Sequence, residues 1–189
     1  MSATVSAVVT RVELLEGWSA EEIVTVAPEL LAGLDMPRTA RHFLTEVGLP
    51  RAFPHYFTTV ADRHHDVANG QTLIGPYRWR ELDLLRLGSN YGGYVCLDPA
   101  NGHVTEVSQN PSDETEPDFV NSSVEAFAAC LLRVRLRQLA GGLDDLGDDE
   151  LELRADVFYA ALRQLDPAAL ADEEAYWSVI VEQMGYGHL

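Results

Sequence analysis

Hydrophobic residues recur along this chain at two periods, and the switch between them marks its elements. Trp79, Leu82, Leu84, Leu85 and Leu87 form an apolar run stopped by Gly88-Ser89-Asn90, and Tyr94-Val95-Cys96-Leu97 form a second of strand length. Asp98-Pro99-Ala100-Asn101-Gly102 then predicts a hairpin turn. The proline presets φ, the aspartate can bond its own backbone, and Asn-Gly tolerates positive φ. His103 to Ser108 is the return strand. Val104 and Val107 are its only large apolar residues, which places it at or near a sheet edge. Beyond the acidic stretch Pro111 to Asp118 the period becomes helical: Val124, Phe127, Ala128, Leu131, Leu132 and Leu139 share one face. A capping box of Ser122 and Glu125 opens this helix and Gly141-Gly142 closes it.

The flanks extend the pattern. Up to Trp18 it is weak, with Val8, Val12, Leu14 and Leu15 the apolar members. Ser19-Ala20-Glu21-Glu22 reads as a second capping box leading a helix into Ile23, Val24 and Val26 until Pro28 interrupts. Pro37 sits in the first turn of another helix through Ala40, Phe43, Leu44 and Val47, closed by Gly48. Phe53, Tyr56, Phe57 and Val60 suggest a short strand or extended segment. Asn69-Gly70 marks a turn before Thr72-Leu73-Ile74, and the sheet is expected to begin within this stretch, Arg51 to Gly75. Two helices end the chain. Leu151, Ala155, Phe158, Leu162 and Leu165 line the first, which stops at Asp166-Pro167, and Tyr176, Trp177, Ile180, Val181 and Met184 line the second.

Length suits one domain over residues 1–189, with 1–36 an N-terminal helical region and 143–189 an acidic helical extension. No apolar run approaches the roughly 20 residues that span a bilayer, and the N-terminus lacks a basic start and an apolar h-region. The expected compartment is the cytoplasm, where Cys96 and Cys130 are buried thiols rather than a disulfide. Charge changes the picture more. The net charge is −17, and all thirteen cationic side chains are arginine. Such a field repels nucleic acid and anionic membranes, and it steers a basic partner. Between Leu143 and Glu174 eleven acids face only Arg154 and Arg163, so the field is strongest there.

Candidate chemistry is sparse. The chain has no G-x-S-x-G, Walker loop, H-E-x-x-H or C-x-x-C. Gly88-Ser89-Asn90-Tyr91-Gly92-Gly93 leads into a strand without a phosphate-binding lysine, so it reads as a tight corner. His55, His64, His65 and Asp66 are the conceivable metal ligands, but no second cluster completes a site. Neither a metal nor another cofactor is expected. His103 and His188 read as surface residues, and the solvated carboxylates of the acidic connector give no glycosidase-like acid and base pair. Arg135 falls between Leu131 and Leu139 on the apolar side of the long helix, where it should snorkel or meet a carboxylate, a structural ion pair being the favoured form.

These motifs, taken in order, resemble the SUKH superfamily: the proline-led helix ending in Gly48-Leu49-Pro50, Tyr94 to Leu97 followed by Asp98 to Gly102 and Val104, and Val120-Asn121-Ser122-Ser123 opening a helix with Phe127. Asp166-Pro167 with Ala168 and Ala169, then Glu174 and Trp177, is similar to its fourth family. The resemblance implies an α+β fold, with helices on one side of a curved, mainly antiparallel sheet and two extra C-terminal helices. It also implies a non-enzymatic immunity protein that binds a bacterial toxin, nuclease or deaminase. Tyr91 and Tyr94 are then candidate anchors, and Asp113, Glu114, Glu116, Asp144, Asp145, Asp148 and Asp149 a candidate acidic rim. Two other readings stand beside it. One is a regulatory or scaffolding module that binds another protein. The other is an enzyme or ligand-binding protein with a pocket among Trp79, Tyr91, His103 and Trp177.

Overall fold

The computed structural model describes residues 9–53, 56–60, 73–90, 92–110, 112–113, 115–141 and 148–186, with the backbone alone for 148 and 149. The fold is α+β, and its sheet curls into a half-barrel in which every pairing is antiparallel. The strands are β1 (Ile23–Val24), β2 (Leu49–Pro50), β3 (Ala52–Phe53), β4 (Phe57–Thr58), β5 (Gly75–Trp79), β6 (Leu82–Ser89), β7 (Gly93–Leu97), β8 (Val104–Ser108) and β9 (Asp118–Asn121). β1 and β2 pair separately, and the main sheet runs β3-β4-β6-β7-β8-β9. β5 shares one edge of β6 with β4: it pairs residues 82–86, and β4 takes over at Ser89.

The helices are α1 (Arg11–Leu14), α2 (Arg38–His42), α3 (Val124–Ala140), α4 (Asp148–Leu165) and α5 (Tyr176–Gly185). α3 buries Val124, Phe127, Leu131 and Val134 against Leu85, Leu87, Val95, Leu97 and Val104 of the sheet. The same cluster runs from Val9 to Met184. Strand alternation sends Trp79, Leu84, Cys96 and Val107 to the opposite face, where they form a second cluster with Tyr77 and Tyr94.

Several sequence expectations hold in detail. The Asp98–Gly102 turn forms with Gly102 at φ 82°, and the Asp98 carboxylate accepts from Ala100 N and Asn101 Nδ2. α4 stops at Asp166-Pro167, α5 buries Trp177, Ile180, Val181 and Met184, and Gly141 caps α3 at φ 61°. Both cysteines are free and buried, and burial pushes each thiol up to about 12. Other expectations are corrected. The apolar run from Trp79 is two strands, because Arg80 adopts φ 51° and turns the chain back, and β6 continues through Gly88 and Ser89. The cap of α3 is Ser123, which accepts from Ala126 N, one residue beyond the expected Ser122 box. Asp118–Asn121, expected to lead from the acidic stretch into the helix, is β9, and β8, expected at or near a sheet edge, lies one strand in from it.

The Ser19 and Glu22 box forms, with the Glu22 carboxylate accepting from Ser19 N and Oγ. It opens only a 3₁₀ turn, after which the β-branched pair Ile23-Val24 enters β1. Residues 9–36 hold one short α-helix, two 3₁₀ turns and this strand. Pro37 is the N-cap of α2 rather than within its first turn, and that helix continues as a π-helical stretch to Gly48 at φ 90°. Arg135 Nε donates to the Gly17 carbonyl at 3.0 Å, a main-chain partner instead of the expected carboxylate. The sheet begins at Ala52, within the expected stretch Arg51 to Gly75; Asn69, Gly70 and Thr72 lie outside the described residues.

Candidate partner-binding surface

The outer sheet face is built by β5, β6 and β7. Tyr77 and Tyr94 meet edge to face with centroids 5.2 Å apart, and the Arg86 guanidinium lies 5.5 Å from the first ring centre and 4.9 Å from the second. Arg86 Nε also donates to the Leu73 carbonyl at 2.6 Å, so the cation is held in place. Tyr, Arg and Trp are the side chains that most often anchor protein contacts, and the rigid stack presents two of them. Beside it Arg80 covers the Trp79 ring at 4.4 Å, a contact that offsets the strain of its positive φ. Trp79 Nε1 and Thr105 Oγ1 are buried without a hydrogen-bond partner among the described residues.

Arg80 also ties this face to the loop between β8 and β9, bonding the Asp113 carbonyl and pairing with Glu116 at 3.7 Å. The Asp113 carboxylate itself is spent inside the loop, on Ser108 Oγ and on Asn110 Nδ2 at 2.9 Å. Glu116 is exposed and its carboxylate faces solvent. Tyr94, Asp113 and Glu116 therefore gather on the outer face and its loop, whereas Asp148 and Asp149 begin α4 on the helical side. Tyr91, Glu114, Asp144 and Asp145 lie outside the described residues.

Asn90 shapes the corner between β6 and β7. Its Oδ1 accepts from Gly92 N and Gly93 N at 2.9 and 2.7 Å, and its Nδ2 donates to Glu106 at 2.7 Å. A Cβ on Gly92 would stand 2.6 Å from Glu106 Oε1, so the glycines make room for that carboxylate. Burial pushes the Glu106 carboxyl up, and Asp118 adds to the shift while the Asn90 bond opposes it. Burial also raises Tyr56, to about 12, and Tyr176, whose hydroxyl donates to the Tyr56 carbonyl at 2.6 Å.

The residues that carried the family resemblance prove to be a buried clasp. Asp166, 3% exposed, accepts from Asn121 Nδ2 at 2.9 Å, Ser122 N at 2.7 Å and Ser122 Oγ at 2.8 Å. Trp177 Nε1 donates to Asn121 Oδ1 at 2.7 Å. One carboxylate thus joins the end of α4 to the entry of α3, and one indole joins α5 to β9. Trp79 and Trp177 fall in separate clusters on opposite faces of the sheet, and His103 packs edge-on against Phe119 at 5.4 Å. Trp79 and Trp177, two members of the alternative pocket, are therefore not brought together, and Tyr91 lies outside the described residues.

Sequence reasoning passed over α4's outward side. Leu153 and Val157 are 62% and 65% exposed, Ala160 is exposed in the same row, and Glu152 and Asp156 flank them in the open. The signal was present: 153, 157 and 160 repeat at helical spacing but out of step with the core stripe 151, 155, 158, 162 and 165. Among the described residues no group of His, Cys, Asp or Glu is placed to hold a metal ion, and no helix is long and apolar enough to cross a membrane. His55, His64, His65 and Asp66 lie outside the described residues.

The fold is thus a half-barrel sheet with helices on one side, an aromatic and arginine face on the other and a buried structural clasp. The SUKH-4 immunity protein profile matches residues 9–183, most of the chain, and the chain belongs to that family. The family is one of toxin immunity proteins, which act by binding a cognate toxin. No curated protein and no solved structure matches the chain.

Proposed function

We propose that this chain neutralises a toxin of the nuclease or nucleic-acid deaminase class by covering its cationic substrate groove with an acidic exterior. Family membership over residues 9–183 carries the immunity role. The acidic mode is supported by the net charge of −17. Enzymes that handle nucleic acid present arginine and lysine to phosphates, and an anionic protein can occupy that field with fast association. In this reading Tyr91 and Tyr94 supply anchors, and Asp113, Glu114, Glu116, Asp144, Asp145, Asp148 and Asp149 supply the acidic rim. The partner is a basic protein rather than nucleic acid or membrane, the chain makes and breaks no bonds, and it acts in the cytoplasm.

The test is co-expression with the toxin domain encoded in the adjoining reading frame. The chain should restore growth, and the purified pair should form a complex in which nucleic-acid turnover stops. A neighbouring toxin that still kills in the presence of the chain, or that acts on a substrate without phosphates, would refute the reading.

A further inference from the structure

α4 is apolar on two sides, and the fold uses only one. Leu151, Phe158 and Leu162 are buried. At 100° per residue, Leu153, Val157 and Ala160 fall on the opposite side, an i, i+4, i+7 row of the kind that seats a helix in a partner's groove. A single exposed leucine is ordinary on a protein surface; a row with Leu153 and Val157 both more than half exposed on one helix is a patch. Acids border it. Glu152 and Asp156 are exposed beside the row, and the whole helix carries five acids against Arg154 and Arg163. Arg154 is already paired with Glu150 at 2.9 Å.

The border selects the occupant. A second copy of the chain docked by symmetry would bring Glu152 and Asp156 against their own counterparts, with −17 on each molecule opposing the approach. An anionic membrane is repelled in the same way. A protein offering an apolar pocket rimmed by lysine or arginine gains from both the row and its border. We infer that Leu153 and Val157, flanked by Glu152 and Asp156, form the contact through which this chain grips the basic toxin. The inference rests on the functional reading above and adds the place of contact.

Binding to a catalytically inactive form of the adjoining-frame toxin domain, followed at two salt concentrations, tests it. Leu153→Ser with Val157→Ser should weaken affinity about tenfold or more, mainly through faster dissociation, with the salt dependence retained. Glu152→Gln with Asp156→Asn should slow association and flatten the salt dependence. All four side chains are exposed, so circular dichroism and thermal unfolding should match the wild type. If the wild type binds and both double variants bind within about twofold of it, the inference fails and the functional reading stands. A wild type that does not bind removes both. Self-association in sedimentation that Leu153→Ser with Val157→Ser abolishes would overturn the inference in favour of a contact between copies.

Discussion

Gly88 is where β4 can touch β6 at all. A Cβ there would stand 2.2 Å from the Thr58 carbonyl oxygen and 2.6 Å from the Phe57 ring, and the first of these is backbone that cannot swing away. Gly88→Ala should therefore cost about 1–3 kcal/mol, read as a lower urea midpoint with an unchanged slope. A midpoint equal to wild type would show that β4 is free to move aside. Glu106 makes a prediction about pH. Its carboxyl titrates above the ordinary value because burial, and then Asp118, penalise its charge. A group raised in the folded state contributes stability that is complete below its unfolded value, about 4.3, and is lost as pH rises through the raised value. Glu106→Gln should then unfold at higher urea than wild type at pH 7, and the gap should close as the pH falls below 4. A gap that is constant across this range would assign the effect to packing.

At the scale of elements, the two C-terminal helices are attached by few polar atoms in a dry place. Asp166→Ala leaves Asn121 Nδ2, Ser122 N and Ser122 Oγ without their acceptor, and should cost about 2–3 kcal/mol in urea unfolding. Trp177→Phe strands Asn121 Oδ1 and should cost about 1–3 kcal/mol. Combined, the two losses should fall short of their sum, since both act through Asn121. Full additivity would mean that the two bonds act independently and are not coupled through Asn121. The clasp also shows what could be read from the chain and what could not. α3, α4, α5 and the Asp98–Gly102 turn depend on neighbours within a few residues, so period and turn chemistry disclosed them. The bonds of Asp166 to Asn121 and of Trp177 to Asn121 span 45 and 56 residues, and no local pattern encodes them. β9 is short and half polar, and only its pairing with β8 makes it a strand. The α4 row was visible as spacing, but its exposure required knowing which stripe α3 and α5 cover.

For the molecule as a whole, charge sets the kinetics of any encounter. With no lysine, and with Arg78, Arg80, Arg86 and Arg154 each already engaged by a neighbouring carboxylate, ring or carbonyl, the arginines do little to mask the surplus of acids from an approaching protein. A long-range attraction of this kind acts before contact, so it belongs to association, whereas in the proposed reading the apolar row and the aromatic anchors would act after contact and belong to dissociation. The screening length falls from about 10 Å at 0.1 M salt to about 3 Å at 1 M. If the cognate toxin is basic, as proposed, association should accordingly slow by about tenfold or more between 0.05 and 0.5 M salt in stopped-flow measurements, while the dissociation rate changes far less. If both rates respond equally, the acids sit inside the contact, paired with the partner's cations, and do not merely surround it. If neither responds, the −17 charge serves to keep copies of the chain apart, and recognition rests on the apolar contacts alone.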